Sequence, residues 1–468
     1  MTPEQAAIPA IVVVYASQTG FAEQLARQTV QSLQCAGVSA RLQALDGLTL
    51  TDLGAGAVVL WVASTTGDGE PPDQALRFFN AYMQQPADLR GLRYGLLALG
   101  DSDYDDFCGF GRTLQRWLQA SGAQAAFDPV EVDSEDDGAL RRWQYYLSVL
   151  TGVRDLPDWQ SPRYQPWQLL ERRLLNPGSA GDPCYLIRLR PAHGNGRWQA
   201  GDLGEVGPRH AAPVVAAWLS AHALDGDAKV TLDRERMSLA EALARSRLPG
   251  ADETAGCDAD AVAAILQRLP HREYSIASLP ADGTLDLLVR QNHAAGKPVG
   301  VGAAWLTVDA PLGATIDLRV RANANFHVPV DDRPLILIGN GTGMAALHAL
   351  LEARLAQHRH RNWLLFGERQ RDRDFHYRAD IERWLAAGHL QRADFAWSRD
   401  QPERIHVQQR VREAADELRR WVDAGAVILV CGSLAGMAPG VDAALREALG
   451  SDYVDQLAAA GRYRRDVY

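Results

Sequence analysis

The chain has 468 residues, 47% of them hydrophobic and 23% charged, a composition that fits two or three folded domains and excludes a disordered, collagen-like or disulfide-stapled protein. No apolar run approaches the roughly 18 residues of a membrane helix, and residues 1–10 lack the basic and apolar regions of a secretory signal. The net charge of −10 argues against general nucleic-acid binding.

That charge is unevenly spread. Residues 1–150 hold 18 acidic and 9 basic side chains, against 40 and 39 in the remainder. The first third is therefore either an acidic docking face for a basic partner or a solubilising surface. Five scattered cysteines (Cys35, Cys108, Cys184, Cys257 and Cys431) are never spaced as CxxC. They point to a reducing, cytoplasmic compartment and away from zinc or iron–sulfur chemistry, so no metal site is expected.

Residues 11–150 alternate short apolar runs with helical stretches. Ile11–Tyr15 reads as a buried strand and Phe21–Gln34 as the helix after it. Ala57–Val62 and Tyr94–Leu99 are further strands, and Gly111–Ala120 and Gly138–Leu150 further helices. This repetition predicts a doubly wound parallel sheet over residues 1–152, with ligands beyond the carboxyl ends of its strands. Residues 153–167, with three prolines, read as a linker. From 168 to 330, Cys184–Leu189, Leu285–Arg290 and Thr315–Val320 suit an antiparallel barrel. Helical Ala211–Ala223, Ser238–Arg245 and Asp258–Leu269 interrupt it as an insertion over roughly residues 211–270. Residues 331–468 return to α/β alternation. Leu335–Ile338 leads through a Gly-rich turn into a helix ending about Gln357, and Asn362–Phe366, Ala393–Ala396 and Val427–Val430 are strands. The fold class is thus multidomain α/β.

Three loops at successive strand ends carry chemistry. Ser17, Gln18, Thr19, Gly20, Phe21 and Ala22 join the first strand to its helix, where hydroxyls and free N–H groups make an anion site. Without a Walker lysine, that loop suits one terminal phosphate, as on FMN, better than a triphosphate. Ser64, Thr65, Thr66, Gly67 and Gly69 follow the next strand end. Leu99, Gly100, Asp101, Tyr104, Phe107, Cys108 and Gly109 follow the one after. Glycines there let backbone approach a planar ring on which Tyr104 can stack.

These loops resemble the flavodoxin-like domain of the diflavin NADPH reductases. The resemblance extends over almost the whole chain and is closest to the flavoprotein subunits of bacterial NADPH–sulfite reductases. It implies a ferredoxin-NADP-reductase-like module after the flavodoxin-like domain: a FAD-binding barrel with a short helical insertion, then an α/β NADP-binding domain. It implies that Arg272 neutralises the FAD diphosphate, that Tyr274 packs on the flavin, and that Ser275 lies near its reactive nitrogen. Gly300, Val301, Gly302 and Ala303 match the second FAD diphosphate segment, with Ala303 and Ala304 where hydroxyl residues are usual. Gly341 and Thr342, in the turn Gly339–Gly343, match the dinucleotide diphosphate loop. Ser398, Arg399 and Arg404, with His406 and Gln408, match the segment that selects NADP by its 2′-phosphate. Cys431 would guide hydride transfer at the nicotinamide and Asp466 would stabilise its developing positive charge. The terminal Tyr468 would stack on the FAD ring until nicotinamide displaces it. Ser275, Cys431, Asp466 and Tyr468 are accordingly the expected catalytic residues. Asn340, Ala346, His348 and Ser433 depart from the family's Pro, Pro, Arg and Asp.

The implied activity is electron flow from NADPH to FAD to FMN to a separate acceptor. A sulfite reductase haemoprotein is the nearest such acceptor, docking at Asp133, Glu135, Asp136 and Asp137. Another haem protein or a ferric-siderophore reductase stays open as the partner or role. So does a flavin-binding electron carrier in which one site has decayed, on the strength of Ala303, Asn340 and Ser433. The short insertion, and the lack of a long N-terminal extension, also run against the octameric sulfite reductase assembly.

Overall fold

The structure is a computed structural model. It describes residues 11–468 apart from 18–19, 55, 67–68, 101–105, 134–135, 154–155, 157, 160–163, 234, 293–298, 324–325 and 435, and apart from the side chains of 73, 137, 455 and 459. The chain divides into two compact units, Met1–Ser161 and Pro162–Tyr468.

In the first unit β1 (Ile11–Ala16), β2 (Ala40–Ala44), β3 (Val58–Ser64), β4 (Arg93–Gly100) and β5 (Gln124–Ala125) stand in the order β2-β1-β3-β4-β5. β6 (Val130–Asp133) also pairs with β4, and every pairing is parallel. Runs such as Val58–Ala63 are buried throughout because helices cover both faces of the sheet. Val12, Val14, Val59 and Trp61 share one core with α2 (Asp73–Tyr82) and α3 (Gly109–Ala120). Alternate residues turn to the other face. There α1 (Phe21–Cys35) buries Ala22, Leu25, Ala26, Thr29 and Leu33 as one stripe at helical spacing. In α4 (Asp137–Thr151) the buried Trp143 donates to Thr29 Oγ1 at 2.9 Å and locks the two helices together.

The second unit opens earlier than the sequence pattern indicates. β7 (Gln165–Leu174) begins inside the stretch read as linker, because Trp167 is a core residue facing Trp198 and pairs with Pro191. With β8 (Cys184–Pro191), β9 (Leu203–Gly207), β12 (Arg272–Ser275), β13 (Leu285–Arg290) and β14 (Thr315–Arg321) it forms an antiparallel sheet ordered β12-β9-β14-β7-β8-β13. An Ile276–Leu287 bridge brings the two ends of that sheet together, so it is a barrel. The insertion holds three short helices, α5 (Ala212–Ala221), α6 (Leu239–Ala244) and α7 (Ala259–Ile265), capped in the last two cases by Ser238 and Asp258. It also holds a hairpin that the sequence reading lacks. β10 (Lys229–Leu232) and β11 (Glu235–Ser238) are four residues each, too short to show a period-2 signal.

A third sheet, all parallel, closes the chain. β15 (Leu335–Asn340), β16 (Asn362–Glu368), β17 (Arg392–Trp397), β18 (Val427–Gly432) and β19 (Tyr463–Val467) lie in the order β17-β16-β15-β18-β19. The terminal strand β19 was expected only as a motif, not as an element. Its pairing with β18 turns the chain end into part of the sheet. The barrel adds the four-residue helix α8 (Val301–Ala304), and α9 (Met344–Ala356) packs on β15. His348 of α9 reaches the carbonyl of Ala277 at 3.0 Å and ties the barrel to this sheet. Among the described residues, no helix is long and apolar enough to cross a membrane.

Candidate functional site

The three hydroxyl- and glycine-rich loops of the first unit lie at the carboxyl ends of β1, β3 and β4, which are neighbours in the sheet. Gln18, Thr19, Gly67, Asp101 and Tyr104 lie outside the described residues, as does Glu135. The buried Ser17 receives Gly20 N–H on its Oγ at 2.9 Å, while its own N–H donates to Gln74 Oε1 at 3.1 Å. Gly20 caps α1 with φ of 95°, a left-handed backbone that other residues adopt only with strain. Phe21 beside it is half-buried and Ala22 fully so. Ser64 Oγ donates to the Ala16 carbonyl at 3.0 Å and Thr65 N–H to the Leu99 carbonyl at 2.9 Å, so the middle loop is tied to both neighbours. Thr66 Oγ1 bridges back to the Glu70 and Pro71 carbonyls.

Thr65 Oγ1 is buried and has no hydrogen-bond partner among the described residues. Such a hydroxyl costs free energy unless something meets it, and a flavin phosphate or ring oxygen would. The glycines serve a close packing of loop on loop. A Cβ on Gly69 or Gly109 would stand 2.5 or 2.4 Å from Asp106 Oδ2, and one on Gly100 would stand 2.6 Å from Cys108 N. Phe107 is half-buried, with the Arg112 guanidinium 5.7 Å from its ring centre. Leu99 and Cys108 turn their side chains into the core and offer only backbone to the loop surface. Burial pushes the Cys108 thiol up to about 12. It is therefore a neutral packing group, not a nucleophile.

In the second unit the structure brings the four expected catalytic residues together. Parallel pairing of β18 and β19 sets Cys431 opposite Asp466, with Sγ 4.0 Å from Asp466 Oδ2 and both side chains buried. Tyr468 is held by its backbone. Its N–H donates to the Gly432 carbonyl at 3.0 Å and its carbonyl accepts from Leu434 N–H at 2.9 Å. The hydroxyl stands 3.1 Å from Thr342 Oγ1, beside Ser275. Ser275 is buried and its hydroxyl faces that of Tyr468, whereas the Tyr468 ring stays 41% exposed. A buried hydroxyl beside an open aromatic face fits a flavin, which accepts hydrogen bonds at its edge and stacks on its face. Tyr274 packs against the barrel core. Arg272 donates to the Pro270 and His271 carbonyls at 2.9 and 3.0 Å. Gly302 of α8 is pressed on the Arg272 stem, since a Cβ there would come 2.5 Å from its Cγ. Gly300, Val301 and Ala303 flank that contact.

The turn Gly339–Gly343 is equally tight. A Cβ on Gly343 would lie 2.3 Å from the Cys431 carbonyl oxygen, and one on Gly339 would lie 2.5 Å from it. Gly341 has φ of 59°. Two of the departures from the family pattern meet here, for Asn340 Oδ1 accepts the Ser433 N–H at 2.9 Å. Beyond β17, Ser398 is half-buried and Arg399 and Arg404 are exposed; neither arginine makes an ion pair among the described residues. Two uncompensated guanidiniums suit a phosphate dianion. His406 caps the helix Val407–Glu413, and Gln408 packs against Gly440.

The sequence reading missed one charged pair at this end of the sheet. Arg290, the last residue of β13, makes a buried ion pair with Glu368, the last residue of β16. No local pattern links positions 78 apart. The carboxylates of Glu205 and Glu273 and the His271 ring also approach one another closely enough to hold a cation. Positive charge is already supplied there: Arg319 and Arg321 bind Glu205 at 2.7 and 3.0 Å, and Arg321 binds Glu273 at 2.9 Å. These arginines offset the like charges that β9 and β12 place directly opposite each other.

Comparison with known families agrees with this architecture. Residues 13–143 match the flavodoxin family and residues 337–443 the oxidoreductase NAD-binding domain. The chain is 29% identical to the sulfite reductase [NADPH] flavoprotein alpha-component of Vibrio cholerae, over 98% of this chain and 87% of that one. The proteins of the same name from Shewanella oneidensis and Neisseria meningitidis are 28% and 29% identical over 99% of this chain, and over 90% and 91% of their own lengths. The chain thus carries a flavodoxin domain at its head and an oxidoreductase NAD-binding domain at its tail, and along nearly its full length it is similar to sulfite reductase [NADPH] flavoprotein alpha-components.

Proposed function

We propose that the chain takes electrons from NADPH and passes them through FAD and FMN to a separate cytoplasmic protein, a sulfite reductase haemoprotein. The observation that carries this reading is the meeting of Ser275 from the barrel with Thr342, Cys431, Asp466 and Tyr468 from the nucleotide-binding sheet. When bound, the flavins supply hydride acceptance in the second unit and single-electron release in the first.

The chain's own residues have positional and electrostatic tasks. Arg399 and Arg404, with Ser398, would take the 2′-phosphate and so favour NADPH over NADH. Gly341 and Thr342 would seat the diphosphate at the end of β15. Asp466, lying behind Cys431, would stabilise the cationic nicotinamide left by hydride loss. Tyr468 would cover the open ring site and keep water from it until nicotinamide arrives. In the first unit, Ser17, Gly20 and Thr65 would hold the FMN phosphate and ring edge.

Acid release and chromatography of flavins from the purified protein tests the reading. One FAD and one FMN per chain, bleached anaerobically by NADPH but not by equal NADH, are expected. A second reading, an electron carrier with a lost FAD site, is favoured by Ala303 and Ala304, which leave the second diphosphate segment without hydroxyls. FMN alone, persisting after FAD is supplied, would replace the first reading with the second.

A further inference from the structure

Tyr468 is held from two segments of the second unit. Its N–H donates to the Gly432 carbonyl at 3.0 Å, its carbonyl accepts from Leu434 N–H at 2.9 Å, and its hydroxyl donates to Thr342 Oγ1 at 3.1 Å. Where the ring lies is therefore set by segment 432–434, at the end of β18, and by the turn Gly339–Gly343, at the end of β15. These two strands are neighbours in the sheet.

The Asn340 side chain ties the two segments together. Its Oδ1 accepts the Ser433 N–H at 2.9 Å. Gly432 makes room for it: φ there is 138°, and a Cβ would lie 2.2 Å from that oxygen. The Ser433 carbonyl accepts Ala438 N–H at 3.0 Å where the next helix, Met437–Leu449, begins, so Ser433 is anchored through both of its polar backbone groups. Proline, usual in the family at position 340, carries no side-chain acceptor. The tie is therefore a property of this chain's own departure from the pattern. Asn340 and Ser433 meet in one contact and do not mark two separate losses.

We propose that Asn340 is a positioning residue for Tyr468: its amide fixes the segment from which the Tyr468 backbone hangs, and so holds the ring over the nicotinamide site. This rests on the functional reading above. The two ties divide the task. A nucleotide seated on the turn competes with the Tyr468 hydroxyl for Thr342, which frees the ring. Asn340 is committed to a backbone N–H and keeps the Tyr468 main chain in place. The ring therefore swings about a fixed backbone and returns to the same position when the nucleotide leaves.

Two variants test the role. N340L removes the acceptor at similar volume, and N340D keeps an acceptor at the same reach. Calorimetry compares 1,4,5,6-tetrahydro-NADP, whose neutral ring cannot give hydride, with 2′-phospho-ADP-ribose, which lacks the ring. The ratio of their affinities isolates the ring site from the turn. With Tyr468 less firmly held, the open state is more populated. The ratio is expected to rise roughly 3- to 10-fold in N340L and to return to within about 2-fold of wild type in N340D. Hydrogen exchange of the same purified proteins gives a second readout. The Leu434 and Tyr468 amides should exchange faster in N340L, by a similar factor, but not in N340D, with the rest of the sheet unchanged. An unchanged ratio in N340L would overturn the proposal. So would a raised ratio that N340D fails to restore, or exchange that rises across the whole sheet, since either would mean a disturbed strand end and not a lost hold on Tyr468. Wild-type protein that binds neither compound would instead overturn the functional reading itself, and the positioning role with it.

Discussion

Arg399 and Arg404 stand out because most guanidiniums around them are matched. Arg392 binds Asp394 at 2.6 Å and Arg412 binds Glu447 at 2.5 Å. Hydrogen bonds to charged groups are worth about 1.5–3 kcal/mol each. Replacing both arginines with alanine should lower kcat/KM for NADPH by on the order of 100-fold, with the NADH value unchanged. Steady-state rates with ferricyanide as acceptor measure this, and an equal loss with NADH would remove the assignment. A second residue-scale effect comes from His376, which is buried. Burial, followed by the nearby Arg290, pushes its pKa down to about 4. The unfolded imidazole titrates near 6.5. Between those values the unfolded chain takes up a proton that the native chain refuses, so stability falls as pH drops through that window, by about 1.4 kcal/mol per pH unit. Thermal midpoints measured from pH 7 to 4.5 should decline less steeply in His376→Gln than in wild type.

At the scale of elements, most parallel strands and helices such as α1 and α3 were legible because each is encoded locally, whereas β2, β5 and α2 were not read as elements. Val58–Ser64 is a continuous apolar run and α1 has a clean stripe. The strand-end turns were legible for the same reason, and the structure explains why they need glycine. At Gly343 the obstacle to a side chain is the Cys431 carbonyl, which is backbone and cannot rotate away. Gly343→Ala should therefore push the turn off β18, costing about 1–3 kcal/mol. NADP+ binding should be lost while FMN content is retained, which calorimetry and flavin analysis can separate. The short hairpin β10–β11 and the terminal strand β19 were not legible. They exist because partners elsewhere accept them: Tyr463–Val467 pairs with a strand more than thirty residues back.

For the molecule as a whole, charge asymmetry is the property to test. The excess negative charge belongs almost entirely to residues 1–150. Asp133 ends β6, and Asp136 caps α4 by accepting the Gly138 N–H at 2.7 Å. Asparagine caps a helix about as well as aspartate, so Asp133→Asn/Asp136→Asn removes charge while keeping that cap. If the face docks an acceptor, its apparent KM should rise roughly 2- to 5-fold at low ionic strength, and the difference should vanish at high salt. An unchanged KM at low salt would leave Asp136 as a cap and nothing more.

The order of residue types along the chain was enough to determine the two parallel sheets, the barrel between them and the loops at their strand ends. Periodicity, glycine and hydroxyl placement are local properties, and the family resemblance rested on them. Tertiary structure alone decided which charges meet. Arg290 finds Glu368, Arg319 and Arg321 find Glu205, and Asn340 finds the Ser433 backbone. Those contacts depend on strand order and register between distant segments. A buried charge survives only where that register delivers its partner, so no local pattern could have announced it.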